Sequence, residues 1–316
     1  MARFSPPGSG FFQTLMGGPK RVELPLRIYG KLPFYKDFLR ANATGPEATA
    51  FRAWLDRGFS RFWEADAVSR EADLPPHGFV LYLPGADGAV LGRMRGSHDS
   101  GGLRRFPLVL FVSQPAGRGA GRALANLHAL AQVLPALLEA DRILANVDGV
   151  ESFYARARDL VVRASVTEHD GVLASLRSDL DGLTVAALAR GMYGEGAEQQ
   201  WPALLAFLGR QQASGRLAAR IPVAPEPAAA TQALLWTALL AGAEPRKQAP
   251  ISILLPLTEP DAGLVLVQRE LRPDDALLFN PACRGYEFVE DLRHDVPGAG
   301  DPQPLPDRPL ADLIPA

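Results

Sequence analysis

One uninterrupted apolar run constrains the fold of this 316-residue chain more than any other feature of its sequence. Residues 106–113 read Phe-Pro-Leu-Val-Leu-Phe-Val-Ser, a pattern typical of a strand that is buried on both faces. Such a strand requires a sheet that other elements cover from above and from below. The chain is therefore expected to form a layered protein in which helices pack on a sheet.

Further strands are predicted on both sides of that run. Residues 78–83 and 89–94 flank the turn residues Pro84, Gly85 and Gly88, and this arrangement predicts a hairpin. A hairpin next to helices favours a mixed sheet over a purely parallel one. The remaining predicted strands are residues 26–29, 251–257, 263–270 and 276–279.

The clearest predicted helix covers residues 46–68. Its large apolar side chains recur at helical spacing and form one face, made of Phe51, Trp54, Leu55, Phe59, Phe62 and Trp63. The other predicted helical regions are residues 122–140, 150–166 and the alanine-rich 171–240. The predicted fold class is α/β, with a mixed central β-sheet flanked by helices, a helical middle region and a C-terminal β extension.

The sequence divides into four parts. Residues 1–24, interrupted by Pro and Gly, are predicted to be a flexible leader, and residues 25–170 are predicted to form an α/β domain. Residues 171–295 hold a helical segment and the later β section, as part of the same domain or as a second subdomain. Residues 296–316 contain six prolines and are predicted to be a disordered Pro-rich tail.

Charge, cysteine content and hydropathy exclude several classes of protein. The formal net charge of −2 argues against nucleic-acid binding by the chain as a whole, and the single Cys283 excludes an internal disulfide. Near the start, Pro and Gly interrupt any signal-like apolar run. The apolar stretch at residues 123–140 carries Asn126, His128 and Pro135, which is typical of a core helix. We expect a cytoplasmic protein without a membrane span.

The residue types of metal and catalytic sites lack the spacing that such sites need. None of the five histidines has another at i+3 or i+4, and Cys283 has no C-x-x-C partner. Ser97, His98 and Asp99 are the residue types of a hydrolase triad, but adjacent side chains cannot line up as nucleophile, base and orienting group. We therefore expect no metal, no cofactor and no enzymatic activity. A hydrolase that uses His98 is the most remote alternative.

A glycine-rich connection offers a second alternative. Gly117, Gly119 and Gly121 follow a predicted strand and precede a predicted helix, which is the place of a dinucleotide-binding loop. The G-x-G-x-x-G spacing would place the third glycine at position 122, where the chain has Arg122. A flexible connection is the favoured interpretation, and anion or nucleotide binding by residues 117–122 is the alternative.

The most informative segment is residues 30–40, which read GKLPFYKDFLR. Lys31, Lys36 and Arg40 form a basic spot with aromatic residues between them, as in a recognition loop for an anionic protein surface. The structural alternative is a turn after a strand whose aromatic side chains enter the core. Residues 1–113 carry a net charge of +5 and the rest of the chain −7, which favours an acidic or phosphorylated partner for the N-terminal part.

The same segment resembles the opening motif of the TagF family of type VI secretion-associated proteins. That motif, G-K-L-P-x-x-x-D-F-x-R, is carried by Gly30, Lys31, Leu32, Pro33, Asp37, Phe38 and Arg40. The W-L-x-x-G motif that follows in the family corresponds to Trp54, Leu55 and Gly58. A third motif, an aspartate and basic residues ahead of F-P-L, corresponds to Asp99, Arg104, Arg105, Phe106, Pro107 and Leu108.

The resemblance, which covers roughly residues 26–113, implies a cytoplasmic regulator that is not an enzyme. Members of the family restrain type VI secretion after translation, through protein–protein interaction. A forkhead-associated-domain scaffold of the machine is the implied partner. Repression is the favoured direction, although the sequence leaves activation open, and a structural or assembly accessory of the same machine is the alternative role.

The first and third motifs both adjoin predicted strands. We therefore expect residues 30–40 and 99–107 to lie close together at one sheet edge, within about 20 Å, or roughly two helix diameters. The motif residues are predicted to contact the partner or to define the fold.

Overall fold

The computed structural model of the chain describes ten stretches of residues, namely 20–65, 74–102, 104–114, 120–167, 169–214, 217–242, 251–258, 263–280, 289–294 and 296–314. The strands are β1 (Lys20–Pro25), β2 (Arg27–Gly30), β3 (Leu39–Ala41), β4 (His77–Tyr82), β5 (Ala89–Arg95), β6 (Leu108–Gln114), β7 (Val161–Val166), β8 (Ala218–Ile221), β9 (Ser252–Pro256), β10 (Leu264–Val267) and β11 (Glu290–Asp291). The helices are α1 (Pro46–Ala65), α2 (Ala120–Ala145), α3 (Val150–Arg158), α4 (His169–Asp179), α5 (Val185–Tyr193), α6 (Ala197–Ser214) and α7 (Ala229–Ala241). Within these ten stretches, three short 3-10 helices cover Gly194–Gly196, Pro273–Phe279 and Leu310–Leu313.

Nine of these strands form one sheet in the order β11-β8-β10-β9-β4-β5-β6-β2-β3. Neighbouring strands are antiparallel except β11 and β8, which are parallel. The predicted hairpin is confirmed as β4–β5, and the predicted mixed sheet is confirmed as well. Because β4 also pairs with β9, the later β section belongs to the same sheet as the N-terminal strands.

Helices cover both faces of this sheet, as predicted. Along β4 the side chains alternate, so that Phe79 and Leu81 join the core under α1 while Val80 and Tyr82 join the core under α2 and α7. The predicted apolar face of α1 is buried at Phe51, Trp54, Leu55 and Phe59. The side chains of Phe62 and Trp63 lie outside the described residues.

Helix α2 is the long core helix of the opposite face. Within the described stretches, its part Arg122–Ala145 is the one helix long and apolar enough to cross a membrane by length and composition. Five of its leucines, Leu124, Leu127, Leu130, Leu137 and Leu144, are buried in the core on that face, whereas Leu138 is exposed. Its Asp141 forms an ion pair with Arg93 and Arg95 of β5. These contacts place the helix in the protein core, as the polar residues within it predicted.

Some of the predicted elements and boundaries are wrong. Residues 161–166, predicted as the end of a helix, form β7, and three valines favour that extended conformation. Strand β7 pairs with β1, so residues 20–24 of the predicted leader are part of a two-stranded sheet. Residues 276–279, predicted as a strand, end a 3-10 helix, because the Asp275 carboxylate accepts a hydrogen bond from the Arg272 amide and holds the first turn.

Strand β8 lies inside the region that was predicted to be helical. Its alanines favour a helix, but the segment is buried between β10 and β11. The buried Arg220 guanidinium also donates a hydrogen bond of 2.7 Å to the Leu278 carbonyl oxygen. Tertiary pairing therefore overrides local propensity here.

The predicted disordered tail is also wrong for the part that the structure describes, residues 296–314. The chain runs over the helical region, where Val185 N–H donates to Arg308 O and Leu310 N–H donates to Leu183 O. The side chain of Leu310 is fully buried. Prolines prevent a regular element because they lack an N–H group, but they do not prevent an extended chain from packing through the residues between them.

Helix α1 is joined to the C-terminal 3-10 helix Pro273–Phe279. The Trp54 indole N–H donates a hydrogen bond of 2.7 Å to the Arg272 carbonyl oxygen. One turn later, a methyl group at Gly58 would lie 2.5 Å from Ala276 Cβ and 2.6 Å from Pro273 O. The W-L-x-x-G motif therefore packs against a segment that lies more than two hundred residues further along the chain.

We predict that Gly58→Ala destabilises the fold by about 1–3 kcal/mol, because the added methyl group overpacks the contact with the 3-10 helix. Gly209→Ala in α6 is the matched control, since a Cβ at that helical glycine meets nothing within 4 Å. This control should stabilise the fold by about 0.5–1 kcal/mol through helix propensity. Urea unfolding measures both, and effects of the same sign would contradict the packing role of Gly58.

The buried His77 predicts a pH dependence of stability. Burial lowers its pKa from 6.5 to about 4, and the nearby Arg220 charge adds to the effect, while the Nδ1–H bond of the ring to Pro75 O opposes it. Below pH 6.5 the unfolded chain therefore binds a proton that the fold excludes, so the free energy of unfolding should fall by about 3 kcal/mol between pH 6.5 and 4. In His77→Gln, the free energy of unfolding should change less between pH 6.5 and 4 than in the wild type. Parallel pH profiles of the two proteins would show that His77 does not titrate this way.

Candidate functional site

The first and third sequence motifs meet at one end of neighbouring strands. Strands β2 and β6 are antiparallel, with Tyr29 opposite Val109, so the chain that leaves β2 emerges next to the chain that enters β6. We call these two segments, residues 30–40 and 97–107, the β2–β6 corner. The Ser100 amide donates to the Tyr35 carbonyl oxygen over 3.1 Å, so the expected proximity of the two segments is confirmed as direct contact.

Gly30 allows this close approach. Its φ of +140° lies in a region that side chains disfavour, and a Cβ at this position would overlap the Pro107 carbonyl oxygen and lie 2.9 Å from Leu108 Cα. The next residues turn away from the sheet, with the Tyr35 amide hydrogen-bonded to Leu32 O. Leu32 enters the core, whereas Pro33 stays at the surface.

Lys31 lies inside the corner and not on its surface. Only 2% of the residue is exposed, and its ammonium donates a hydrogen bond of 3.1 Å to the Lys36 carbonyl oxygen. The same Nζ lies 3.9 Å from Asp99 Oδ2 and 4.6 Å from the centre of the Phe38 ring. The predicted basic spot is therefore corrected, since its first member is buried and paired.

Asp99 is the counter-ion that holds the third motif to the first. Its carboxylate accepts a 2.7 Å bond from Arg104 Nε, and the Arg104 guanidinium also donates to Lys36 O over 2.7 Å. Burial alone raises the pKa of Asp99, but the Arg104 bonds and charge, with Lys31 adding, hold it below its ordinary value. The pKa of Lys31 is lowered from its ordinary value, because burial and the Arg104 charge together outweigh the opposing effect of Asp99 and Asp37.

Three aromatic rings close the corner on the side of α1. Phe38 stacks on Tyr29 with ring centres 5.4 Å apart and meets the edge of Phe106 at 4.7 Å. Tyr29 and Phe106 are buried, while 43% of Phe38 is exposed. The Tyr29 hydroxyl donates to the Asp56 carboxylate over 2.7 Å, which fixes the ring beneath Phe38.

The remaining motif residues divide between the surface and the core. Lys36, Asp37, Arg40, Arg104 and Arg105 are exposed, and Pro107 is buried beside Gly30. Arg105 also pairs with His98 in an isolated antiparallel bridge. Trp54 lies away from the corner, because its ring contacts Phe51 and Phe279.

Sequence reasoning missed two residues that build the corner. The Ser97 hydroxyl donates a hydrogen bond of 2.7 Å to the Lys31 carbonyl oxygen, and no spacing in the sequence signals this contact. Tyr29 could have been found, since it is an aromatic residue at the end of the predicted strand 26–29 and directly precedes the first motif. Neither belongs to the three family motifs, and Ser97 was considered only as a residue type of a hydrolase triad.

The catalytic and ligand-binding alternatives gain no support from the described residues. The His98 ring contacts the Asp99 backbone carbonyl oxygen, not the Ser97 hydroxyl. Among the described residues, no group of three or more His, Cys, Asp or Glu could hold a metal ion. Gly117 and Gly119 lie outside the described residues, and Arg122 is exposed on the first turn of α2.

A surface groove of about 810 Å³ lies apart from the corner, where α2 ends and α3 begins. Its charged lining includes Arg142, Arg156, Asp148 and Asp159, so cations and anions balance. The groove holds none of the motif residues. The candidate functional site is therefore the β2–β6 corner, which combines a rigid buried ion pair with an exposed ring and exposed cations.

The part of the chain that contains this corner matches a known family. A protein-family model described as the TagF N-terminal domain, Type VI secretion system-associated, matches residues 27–160. Among solved structures, the crystal structure of PA0076 from Pseudomonas aeruginosa PAO1 matches over 43% of this chain, with 25% sequence identity and a TM-score of 0.31. This chain spans 62% of the length of that protein. No curated protein matches.

We predict that Asp99→Asn lowers the stability of the fold, because the buried Lys31 ammonium then lacks its counter-ion. A Lys31→Met/Asp99→Asn double variant should regain part of the loss, since no unpaired charge remains. Urea unfolding of the single and double variants in one cycle measures this coupling. Glu139→Gln, which removes an exposed carboxylate paired with Arg142, is the control and should change little. Equal losses of unfolding free energy in D99N and E139Q would contradict the structural role of Asp99.

Proposed function

From the match of residues 27–160 to the TagF N-terminal domain model, we propose that the protein regulates type VI secretion by binding another protein. The description of that model, type VI secretion system-associated, supports the first part of this proposal. The regulatory role and the direct partner are our proposals. The observation that carries them is the β2–β6 corner, in which two separate family motifs build one rigid surface feature.

The chemistry of the corner supports binding over catalysis. The groups that could react are engaged in holding the two segments together, since Ser97 donates to the Lys31 backbone and Asp99 accepts from Arg104. In contrast, Phe38 presents an apolar ring to solvent from a fixed position. A ring held in this way loses little conformational freedom when a partner covers it, which favours recognition. We propose that the protein is not an enzyme and acts without a cofactor.

We further propose that the protein works in the cytoplasm as a repressor and that its partner is the forkhead-associated-domain scaffold of the type VI machine. This proposal extends what the family resemblance implies for members of the family. An assembly accessory is the second candidate, and stoichiometry separates the two roles. A stable equimolar complex with machine components supports the accessory, whereas a transient complex supports the regulator.

The test is deletion of the gene in the source bacterium. We expect release of a type VI substrate into the medium to rise severalfold, because the repressor is lost. Expression of the full chain from a plasmid should restore the original level, and cell lysis is monitored with a cytoplasmic marker. Unchanged secretion in the deletion strain would contradict the regulatory proposal, and reduced secretion would indicate an activator or an assembly role.

A further inference from the structure

We propose that Lys36, Phe38 and Arg40 form a docking surface for an acidic, unphosphorylated segment of a protein partner, with an apolar side chain of that segment seated on Phe38. The inference rests on the proposed function, because it assigns the partner chemistry of the same corner. We call these three residues the docking triplet.

Phe38 is a rigid apolar anchor. One face of its ring stacks on Tyr29, Phe106 meets it edge-on, and the Lys31 ammonium lies 4.6 Å from its centre. These contacts hold the ring in one position, yet 43% of the residue is exposed to solvent. An exposed aromatic ring that is already immobilised can bind an apolar side chain at low entropic cost.

Lys36 and Arg40 supply the charge around this anchor. The Lys36 backbone carbonyl oxygen accepts bonds from Lys31 and Arg104, so its main chain is fixed while its side chain is exposed. Arg40 lies opposite Tyr29 in the β2–β3 pair and therefore shares a sheet face with the ring that supports Phe38. Neither cationic side chain has a hydrogen bond or ion pair with any residue that the structure describes.

The balance of exposed charge selects an acidic partner. Around Phe38 the exposed carboxylates of Asp37 and Asp56 stand against Lys36, Arg40 and the Arg52 guanidinium over Tyr29, and the buried Lys31 charge is compensated by Asp99. The free charge of the triplet is therefore positive. A segment whose carboxylates flank an apolar side chain matches a ring that is flanked by two cations.

The arrangement of the donors favours carboxylates over a phosphate group. Phosphate sites bring several N–H donors onto one point, most often through arginine forks. Here the Arg104 fork already binds Asp99 and the Lys36 carbonyl oxygen. Lys36 and Arg40 lie two residues before and two residues after Phe38 in the chain, and Arg40 is the one arginine fork of the triplet. They fit two separated carboxylates.

A single-stranded nucleic acid fits the triplet less well. Such ligands need a track of exposed rings on which successive bases stack. Tyr29 and Phe106 are each 6% exposed, and Phe34 and Tyr35 are half-buried against the core, so Phe38 is the one ring in the exposed class among the described residues of this corner. The chain also carries a net charge of −2. These features favour a protein segment.

The first experiment identifies the chemistry of the occupant. The full chain carrying p-benzoylphenylalanine in place of Phe38 is expressed in the source bacterium and irradiated, and the cross-linked products are sequenced by mass spectrometry. We expect a peptide with an excess of Asp and Glu and an aromatic or aliphatic residue at the cross-link. Cross-links to nucleic acid, to a peptide without an acidic excess, or to nothing would overturn the proposal.

The cross-linked peptide, made synthetically, is then the probe for a binding titration. Lys36→Glu/Arg40→Glu should weaken its binding at least about tenfold at low salt, and the difference should shrink at high salt because exposed charges are screened. Phe38→Ala should weaken binding to the same degree at both salt concentrations. The matched control Arg190→Glu/Arg210→Glu reverses two exposed arginines on α5 and α6 and should bind like the wild type.

Two results of this titration would overturn the docking proposal. The first is equal binding by K36E/R40E and the wild type, and the second is tighter binding of a phosphorylated form of the peptide than of the unphosphorylated one. Because the side chains of Lys36 and Arg40 are exposed and form no hydrogen bond or ion pair with a described residue, K36E/R40E should unfold at the wild-type temperature. A thermal unfolding scan of each variant verifies this before binding is measured.

A secretion assay separates failure of this inference from failure of the proposed function. The deletion strain is complemented with the wild type, with K36E/R40E or with R190E/R210E. If deletion leaves secretion unchanged, the proposed function fails and the docking inference, which rests on it, fails with it. If deletion raises secretion and K36E/R40E restores repression as well as the wild type, the docking inference alone is wrong. Loss of repression with K36E/R40E but not with R190E/R210E supports both.

Discussion

The buried ammonium of Lys31 is the constraint on which the β2–β6 corner depends. A charge removed from water must be compensated by oppositely charged and hydrogen-bonding groups, and here Asp99 and the Lys36 carbonyl oxygen supply them. Asp99 in turn positions Arg104, whose second bond returns to the same Lys36 carbonyl oxygen. One buried charge thus fixes the path of two segments that are separated by some sixty residues. The same network fixes the position of the exposed Phe38 ring, which the Lys31 ammonium contacts.

A second dependence joins the two ends of the chain. The motif residues Trp54 and Gly58 lie on α1, yet their contacts are made by the 3-10 helix Pro273–Phe279, which lies beyond the family match. Within the sheet, the pairing of β4 with β9 likewise joins an N-terminal element to the later part of the chain. The later β section, which the resemblance does not cover, is therefore not an appendage to the N-terminal part. It covers α1 and completes the sheet that carries the corner.

Hydrophobic pattern predicted much of this architecture, because α1, the β4–β5 hairpin and β6 have strong local signals. It failed where distant pairing overrides propensity, as in β8, whose alanines favour a helix but which lies buried between two strands. It also failed where proline-rich composition was interpreted as disorder, although Leu310 is anchored in the core. At the site, the motif spacing placed Gly30, Asp99 and their neighbours together. Burial of Lys31 could not be predicted, because a lysine in a loop is ordinarily solvated and its counter-ion is far along the sequence.

The position of β4 in the sheet has a consequence for how the protein is made. On the ribosome, β4 and β5 emerge together and can pair at once, but the other edge of β4 stays open until residues 252–256 have been synthesised. Every residue of that strand is buried in the finished protein, so the nascent chain exposes an apolar strand edge for much of its elongation. Closing it requires contacts between residues far apart in sequence, which makes the last step slow and dependent on protection from aggregation. The segment that carries the family motifs therefore cannot complete its fold until the later β section has been synthesised.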